Sequence, residues 1–215
     1  MANTDHLQRV LDSGIVAVIR ARSGEQLVEV ARALVAGGVV VMEVTFTVPG
    51  AVRVLERVAE QLGDQILLGA GTVLDPETAR AALLAGAQFI VSPNTNVDVI
   101  RLCRRYGKLA MPGAFTPTEV VTAFEAGADI VKIFPCDLGG PAYLKALHGP
   151  LPHIPLMPTG GITLENAADY LKAGACALGV GGSLVEAKTV ERGDFGRIEE
   201  LAKRFCDAVK KARAG

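Results

Sequence analysis

The stretch LVAGGVVVMEV at residues 34–44 carries a pattern that returns three more times along the chain. The other copies are LLAGAQFIVSP at 83–93, FEAGADIVKIFP at 124–135 and LKAGACALGVGG at 171–182. Each copy combines a helix end, an Ala-Gly stop and a run of aliphatic or β-branched residues, which is the pattern of a helix followed by a buried strand. Because the copies recur every 41–49 residues, the chain is predicted to consist of a repeated helix–strand unit.

Four further apolar runs lie between these copies. They are GIVAVIR at 14–20, ILLGAG at 66–71, KLAMPG at 108–113 and IPLMPTGG at 154–161, which brings the strand candidates to eight. Strands that alternate with helices pair in parallel, and no GxGxxG follows the first strand, which disfavours an open dinucleotide-binding sheet. The predicted fold is therefore a single-domain (β/α)8 TIM barrel spanning 1–215, with an extra N-terminal helix at 3–12 and a trailing helix at about 194–212.

Start signals support the helices between these strands. Asp75 and Thr116 are each followed by proline and an acidic residue, which is typical of an N-cap residue. Ser23 and Thr163 open two further helical stretches. The repeated glycines Gly37, Gly86, Gly127 and Gly174 are predicted to take the left-handed conformation that often ends a helix.

The composition excludes several classes of protein. Half of the 215 residues are hydrophobic, and 22 Lys and Arg balance 23 Asp and Glu for a net charge of -1. No nucleic-acid partner is expected, because such a partner requires a basic surface. No run of about 18 apolar residues could cross a membrane, and residues 1–10 lack the pattern of a signal peptide. A cytoplasmic protein without membrane contact is therefore expected.

Cysteine and histidine spacing predicts neither disulfides nor a metal centre. The four cysteines form no CxxC pair, and the three histidines are scattered along the chain. Cys136 follows Phe134-Pro135 and is expected to pack rather than react. We therefore expect no metal and no cofactor. A metal held by carboxylates alone stays open as an alternative, but no motif indicates one.

Two ionisable residues interrupt otherwise apolar strand candidates: Glu43 in VVVMEVTF and Lys132 in DIVKIF. Charged residues are rarely buried without a partner or a task. Strand alternation turns Val131 and Ile133 toward the helices, and it turns Lys132 and Glu43 toward the barrel axis. Because both strands are even-numbered and alternate strands share an interior layer, Glu43 and Lys132 are expected to meet inside the barrel mouth.

This pair predicts imine chemistry. An apolar surrounding disfavours the charged form of Lys132, and a neutral amine attacks carbonyl groups to form a Schiff base. A neighbouring carboxylate such as Glu43 can move the protons that this reaction requires. A buried ion pair that only fixes packing is the alternative interpretation.

The last two strands end in glycines and hydroxyls, in PTGGI at 158–162 and GVGGS at 179–183. Loops at these two positions of a barrel frequently bind phosphate, because free backbone N–H groups and a following helix start attract anions. Tight turns chosen for backbone freedom are the alternative. We favour a phosphate site formed by Thr159, Gly160, Gly161, Gly182 and Ser183.

Nine blocks of sequence, in one order, resemble the class I 2-keto-3-deoxy-6-phosphogluconate (KDPG) and 2-keto-4-hydroxyglutarate (KHG) aldolases. The blocks are GIVAVIRA, AGGVVVMEVTFTVP, LLGAGTVL, AGAQFIVSPN, MPGAFTPTE, AGADIVKIFP, GGPAYLKAL, MPTGGI and GVGGSLV. The resemblance runs through nearly the whole chain. It implies a cytoplasmic lyase of the Entner–Doudoroff pathway that acts on a phosphorylated 2-keto-3-deoxy sugar acid, releases pyruvate and assembles as a homotrimer.

The resemblance also implies roles for individual residues. Lys132 matches the lysine that forms the Schiff base with pyruvate, and Glu43 matches the proton-transfer glutamate. Thr72 matches a contact to the pyruvyl end, and Pro93 and Phe134 match residues that shape its pocket. The glycines and the serine of the two predicted phosphate loops match the family's phosphate-binding loops.

One position departs from the family pattern. Many members carry arginine four residues after the catalytic glutamate, where it helps to hold the substrate carboxylate, whereas this chain has Thr47 there. Either Arg20 at the end of the first strand takes over, or hydroxyls and backbone N–H groups hold the carboxylate. The departure affects the substrate range more than the type of reaction.

The expected reaction is cleavage of KDPG to pyruvate and glyceraldehyde 3-phosphate. The galactonate-derived substrate remains an open alternative, because the sequence does not fix the configuration at C4. Cleavage of 4-hydroxy-2-oxoglutarate also remains open, because the same enamine chemistry serves it. A phosphosugar epimerase or isomerase on the same barrel is an alternative of another class, and so is a barrel that only binds a phosphosugar. An epimerase would need paired acid–base residues or a metal with histidines, and a binding barrel would not need Lys132 inside a strand.

Overall fold

The computed structural model describes residues 2–20 and 24–214, in which strands and helices alternate. The strands are β1 (Ile15–Ile19), β2 (Val41–Thr45), β3 (Leu67–Gly71), β4 (Phe89–Val91), β5 (Leu109–Met111), β6 (Gly113–Ala114), β7 (Val131–Ile133), β8 (Leu156–Pro158) and β9 (Leu178–Val180). The helices are α1 (Ala2–Ser13), α2 (Gly24–Ala36), α3 (Ala51–Leu62), α4 (Pro76–Leu84), α5 (Val97–Arg105), α6 (Pro117–Glu125), α7 (Gly140–His148), α8 (Ala167–Lys172), α9 (Ala187–Glu191) and α10 (Phe195–Ala214), with one 3-10 turn at Cys136–Leu138.

The pairings between the named strands are all parallel. Six strands form one sheet in the order β5-β4-β3-β2-β1-β9, and three form a second in the order β6-β7-β8. Isolated parallel bridges join Leu156 to Ala175 and Thr159 to Gly179, so β8 also contacts the segment of β9. The predicted α/β class with parallel strand pairing is therefore confirmed.

The fifth predicted strand is interrupted at Pro112. Proline has no N–H group to donate to a strand ladder, so the run divides into β5 and β6. The Pro112 carbonyl still accepts a hydrogen bond from the Lys132 N–H at 2.9 Å, which keeps β7 beside the interruption. Each of the eight predicted apolar runs contains strand.

The strands lie between two apolar layers. The larger cluster packs strand residues such as Met42, Val131 and Ile133 with residues of the helices. A smaller inner cluster contains Val41, Ile130 and, from α1, Val10. Alternate residues of a strand therefore face opposite layers, as strand geometry requires.

The predicted caps at Asp75 and Thr116 are confirmed. The Asp75 side chain accepts a hydrogen bond from the Thr78 N–H at 2.7 Å, with Pro76 at the first helical position. Thr116 forms a complete capping box with Glu119 at the start of α6. The terminal helices match the prediction to within about two residues at each end.

The structure departs from the prediction at the glycine that ends α2 and at the N-cap of α8. Gly38, not Gly37, takes the positive φ at the end of α2, with φ 91°. A side chain at Gly37 would collide with Ala202 of α10, so close helix packing explains that glycine. The N-cap of α8 is Asn166 rather than Thr163, and the helix start predicted at Ser23 lies outside the described residues.

No helix among the described residues is long and apolar enough to span a membrane.

Candidate active site

Lys132 and Glu43 lie on the same side of their strands as the inner apolar cluster. Lys132 of β7 comes two residues after Ile130, and Glu43 of β2 comes two residues after Val41, and both apolar residues belong to that cluster. Glu43 is 1% exposed and Lys132 is 7% exposed. Strand alternation thus delivers two ionisable groups into an apolar interior.

Burial and mutual attraction act in opposite directions on this pair. Burial lowers the pKa of Lys132, whereas the charge of Glu43 raises it and the charge of Arg20 lowers it. Burial raises the pKa of Glu43, whereas Lys132 and Arg20 lower it. Oε2 of Glu43 has no hydrogen-bond partner among the described residues. In both groups burial is the dominant cause, so the neutral amine and the protonated carboxyl group are favoured relative to exposed residues.

Glycines on the neighbouring strands make room for these groups. In the register, Glu43 lies opposite Gly69 of β3, and Lys132 lies opposite Gly113 of β6. A methyl group at Gly71 would lie 2.5 Å from Oε1 of Glu43. The space at Gly69 is filled by the Phe89 ring. The carboxylate therefore occupies volume that only a glycine-containing β3 leaves free.

The residues predicted to shape the pyruvyl pocket are distributed around this pair. The Phe134 ring centroid is 4.9 Å from Nζ of Lys132, within the range of a cation–π contact. Thr72 follows β3 with φ 60°, an uncommon conformation for a β-branched residue. The Pro93 backbone packs against Gly113, the residue opposite Lys132. Thr72, Pro93 and Phe134 are all partly buried.

Thr159 connects this interior to the loops after β8 and β9. It is 8% exposed, and its hydroxyl oxygen has no hydrogen-bond partner among the described residues. A side chain at Gly179 would collide with this hydroxyl group, so the absence of a Cβ atom at Gly179 leaves space for it. An unpaired buried hydroxyl group beside a cavity is available to a ligand.

The two predicted phosphate loops line one cavity of about 350 Å³ together with Arg20 and Phe134. Its lining includes Thr159, Gly160, Gly161, Gly182 and Ser183. Within the described part of the chain, the N–H groups of Gly161, Gly182 and Ser183 donate no hydrogen bond, whereas the N–H group of Gly160 points toward Gly179 across the isolated bridge. Gly160 and Gly161 both have positive φ, 99° and 68°, so the tight-turn interpretation also holds there. The helices that follow contribute little, because α8 and α9 are short and begin several residues later.

Arg20 and Thr47 line a second cavity of about 380 Å³, whose walls include Val48, Pro49 and Val190. Arg20 is exposed and borders both cavities. The Thr47 hydroxyl group forms a hydrogen bond of 2.8 Å with that of Thr45. Arg20 is therefore a cation that borders both cavities and acts electrostatically on Lys132 and Glu43.

One residue near the loops was not predicted as part of the site. Asn166 forms hydrogen bonds with the loop after β8, through the Thr163 N–H and the Gly161 carbonyl, both at 2.8 Å. The sequence signal was present as an asparagine ahead of a helical stretch, but it indicated only a helix start. Separately, the described residues contain no group of three or more His, Cys, Asp or Glu side chains that could hold a metal ion.

Comparison with known families places the chain among enzymes of one type. The family model "KDPG and KHG aldolase" matches residues 7–201. A 2-dehydro-3-deoxy-phosphogluconate aldolase of Treponema pallidum is 40% identical over 197 residues, which are 91% of this chain and 93% of the relative. A 2-dehydro-3-deoxy-6-phosphogalactonate aldolase of Escherichia coli is 38% identical over 92% of this chain and 95% of the relative.

Solved structures agree with these relatives. A structure described as "Native KDPGal structure" superposes with a TM-score of 0.87 and 35% identity, covering 94% of this chain and 96% of the other. The KDPG aldolase of Legionella pneumophila, captured with pyruvate as a covalent carbinolamine intermediate, superposes with a TM-score of 0.86 and 30% identity. That superposition covers 92% of this chain and 96% of the Legionella chain.

Proposed function

The chain belongs to the KDPG and KHG aldolase family. We therefore propose that this protein cleaves 2-keto-3-deoxy-6-phosphogluconate through a Schiff base on Lys132. The products are pyruvate and glyceraldehyde 3-phosphate. The observation that carries this assignment is a lysine, 7% exposed, on the same side of the parallel strands as an apolar cluster and a carboxylate that is 1% exposed. Such a lysine has the neutral amine that imine formation needs.

The proposed reaction uses the two buried groups in sequence. The amine of Lys132 adds to the C2 ketone, and Glu43, whose pKa burial raises, protonates the departing hydroxyl group to release water. Glu43, directly or through a water molecule, then accepts the proton of the C4 hydroxyl group. The C3–C4 bond then breaks and the aldehyde leaves. The electron pair of the broken bond forms the enamine. Protonation at C3 and hydrolysis of the imine release pyruvate and regenerate Lys132.

The loops after β8 and β9 are proposed to hold the phosphate group. Gly160, Gly161, Gly182 and Ser183 line a common cavity, and the N–H groups of the last three donate no hydrogen bond among the described residues. Concave arrangements of N–H groups bind anions. Thr159 lies between this cavity and the buried interior. Its hydroxyl group is proposed to contact the middle of the substrate chain.

Arg20 is proposed to hold the substrate carboxylate with help from Thr47, Thr72 and backbone N–H groups. Thr47 has no charge and already forms a hydrogen bond with Thr45, so it cannot replace an arginine by itself. Arg20 borders both cavities and acts electrostatically on Lys132 and Glu43. Pro93 and Phe134 are proposed to enclose the methyl end of pyruvate.

A second candidate substrate is the galactonate-derived sugar acid. The relative from Escherichia coli that bears this activity in its name is 38% identical to this chain, and relatives named as phosphogluconate aldolases, from Treponema pallidum and Pseudomonas aeruginosa, are 40% and 37% identical. The family description also includes hydroxyglutarate aldolases. The same imine chemistry serves all three substrates, which differ at C4 and beyond.

We extend the proposal to the closure of the strands and to the assembly of subunits. We infer one domain in which the strands close as a (β/α)8 barrel, because β8 contacts the segment of β9 through two bridges and β5 and β6 are one strand divided by Pro112. We also infer a homotrimer in the cytoplasm from the resemblance to the family. Exposed apolar side chains such as Leu84 and Leu138 are compatible with subunit contacts.

The decisive experiment is incubation with pyruvate and borohydride, followed by intact-mass measurement and peptide mapping. A reduced pyruvyl adduct on Lys132 is expected, and Lys132→Ala should lose both the adduct and turnover. Glu43→Gln should still bind substrate but react slowly. Absence of the adduct in a folded wild-type protein, while a control aldolase is labelled, would refute the proposal.

A further inference from the structure

We propose that Asn166 is a positioning residue that gives the loop after β8 its phosphate-binding shape. The proposal rests on the phosphate end of the site proposed above. Asn166 itself does not line the cavity formed by the two loops. It acts through the backbone of residues 161–163.

The Asn166 side chain binds the loop at two points. Its Oδ1 accepts a hydrogen bond from the Thr163 N–H at 2.8 Å, and its Nδ2 donates one to the Gly161 carbonyl at 2.8 Å. Although Asn166 occupies the N-cap position of α8, its side chain makes no capping hydrogen bond to that helix. Both polar atoms of the amide group therefore bind the loop, and neither caps α8.

A second side chain donates a hydrogen bond to the next carbonyl group of the same loop. The Ser183 hydroxyl group, from the loop after β9, donates to the Ile162 carbonyl at 2.5 Å. Two consecutive carbonyl oxygens, of Gly161 and Ile162, are thus held by side-chain donors. A serine hydroxyl group has one proton to donate, so Ser183 offers its backbone N–H rather than its side chain to the cavity.

The orientation of these carbonyls matters because the adjacent backbone is flexible. Gly160 and Gly161 both have positive φ and can adopt several other conformations at little cost. A rotated peptide would present a carbonyl oxygen, instead of an N–H group, to an anionic ligand. Holding the Gly161 carbonyl fixes the peptide unit that carries the Ile162 N–H group, and it anchors one end of Gly161, whose own N–H group is proposed to bind the phosphate.

The test compares phosphate-dependent and phosphate-independent steps in Asn166→Ala. We expect the KM for the phosphorylated substrate to rise by about 10-fold or more, as the loss of a positioning hydrogen bond predicts. The rate of the borohydride-trapped pyruvate adduct should remain at the wild-type value, because pyruvate carries no phosphate group. Inorganic phosphate should inhibit the variant less strongly than the wild type.

Two further variants separate positioning from folding. Asn166→Asp keeps the acceptor for the Thr163 N–H and loses the donor to Gly161, so it should remain folded and show the same selective rise in KM. Asn96 provides a matched control, because it caps α5 through the N–H groups of Asp98 and Val99 and donates to the Leu74 carbonyl. Asn96→Ala should leave the ratio of the two readouts unchanged.

The outcomes separate this inference from the proposed function. An unchanged KM in both Asn166 variants, or an equal loss of pyruvate adduct and phosphate affinity, overturns the positioning role. The same selective effect in Asn96→Ala overturns it as well. Absence of the adduct in the wild-type protein is instead a failure of the Schiff-base assignment.

Discussion

Lys132 and Glu43 show how one residue's environment sets its chemistry. Burial shifts the pKa of each group toward its neutral form, and their mutual attraction opposes that shift. Arg20 acts on both groups, disfavouring the ammonium form and favouring the carboxylate. The reactivity of Lys132 therefore depends on two neighbouring charges of opposite sign as well as on its apolar surroundings.

This balance predicts opposite pH shifts in two variants. The neutral amine is populated above the pKa of Lys132, which lies below its ordinary value of 10.5. In Glu43→Gln the loss of negative charge lowers this pKa further, so the midpoint of adduct formation moves to lower pH. In Arg20→Gln the loss of positive charge raises it, so the midpoint moves to higher pH.

The measurement is the pH profile of the initial rate of borohydride-trapped adduct formation with pyruvate. Midpoints are compared after each profile is scaled to its own plateau, because both variants also lose rate. Lys145→Gln, on the exposed side of α7, serves as a control and should leave the midpoint in place. Shifts of the same sign in the two site variants would contradict the proposed electrostatic roles.

At the scale of an element, β3 contributes space rather than reactive groups. Its glycines at 69 and 71 face the Phe89 ring and the Glu43 carboxylate, and Thr72 follows with positive φ. Small residues on a central strand are costly for the strand itself. Here they allow a carboxylate and an aromatic ring to share the interior of the strands.

Gly71→Ala is therefore expected to displace Glu43. The added methyl group would lie 2.5 Å from Oε1, and the resulting shift of the carboxylate should lower the rate of cleavage by about 10-fold or more. Overpacking should also lower the free energy of unfolding by about 1–3 kcal/mol. Both are measured by substrate turnover and by denaturant unfolding.

Gly149→Ala is the matched control for this substitution. Its φ is -51°, and its nearest neighbours are carbonyl oxygens at 3.6 and 3.8 Å, an ordinary contact distance. We expect little change in turnover or stability. Normal activity of Gly71→Ala would show that the carboxylate can move without consequence.

The whole molecule separates stability from chemistry along the axis of the strands. At one end, Val10 of α1 joins the inner apolar cluster with Val16 and Val41. At the other end lie Glu43, Lys132 and the loops that line the cavities. Parallel strands bring all their carboxyl ends to one side, so loops on that side can vary while the opposite side remains packed.

Val10→Ala tests this separation. Removing two buried methyl groups should lower the free energy of unfolding by about 2 kcal/mol, while kcat and KM at 25 °C remain unchanged. Denaturant unfolding and steady-state kinetics measure the two quantities, and Glu60→Ala, at an exposed position of α3, should change neither. A fall in kcat without a change in stability would refute the separation.

Local signals in the sequence determined the order of elements and the two central residues. Apolar runs, Ala-Gly stops and the caps at Asp75 and Thr116 depend on neighbouring residues, so they can be inferred before any tertiary contact is known. Alternation along a strand likewise assigns Lys132 and Glu43 to the interior. These features follow from backbone geometry and from the cost of exposing apolar side chains.

Only the tertiary structure decided what depends on residues far apart in the chain. The glycine that packs against α10, the space that β3 leaves for Glu43, and the cavity shared by Arg20 with two distant loops all depend on approach distances between elements. The use of Asn166 to hold the Gly161 carbonyl also required coordinates, because an asparagine before a helix predicts a cap equally well. Sequence patterns specify which face of an element is buried, whereas packing specifies which atoms meet there.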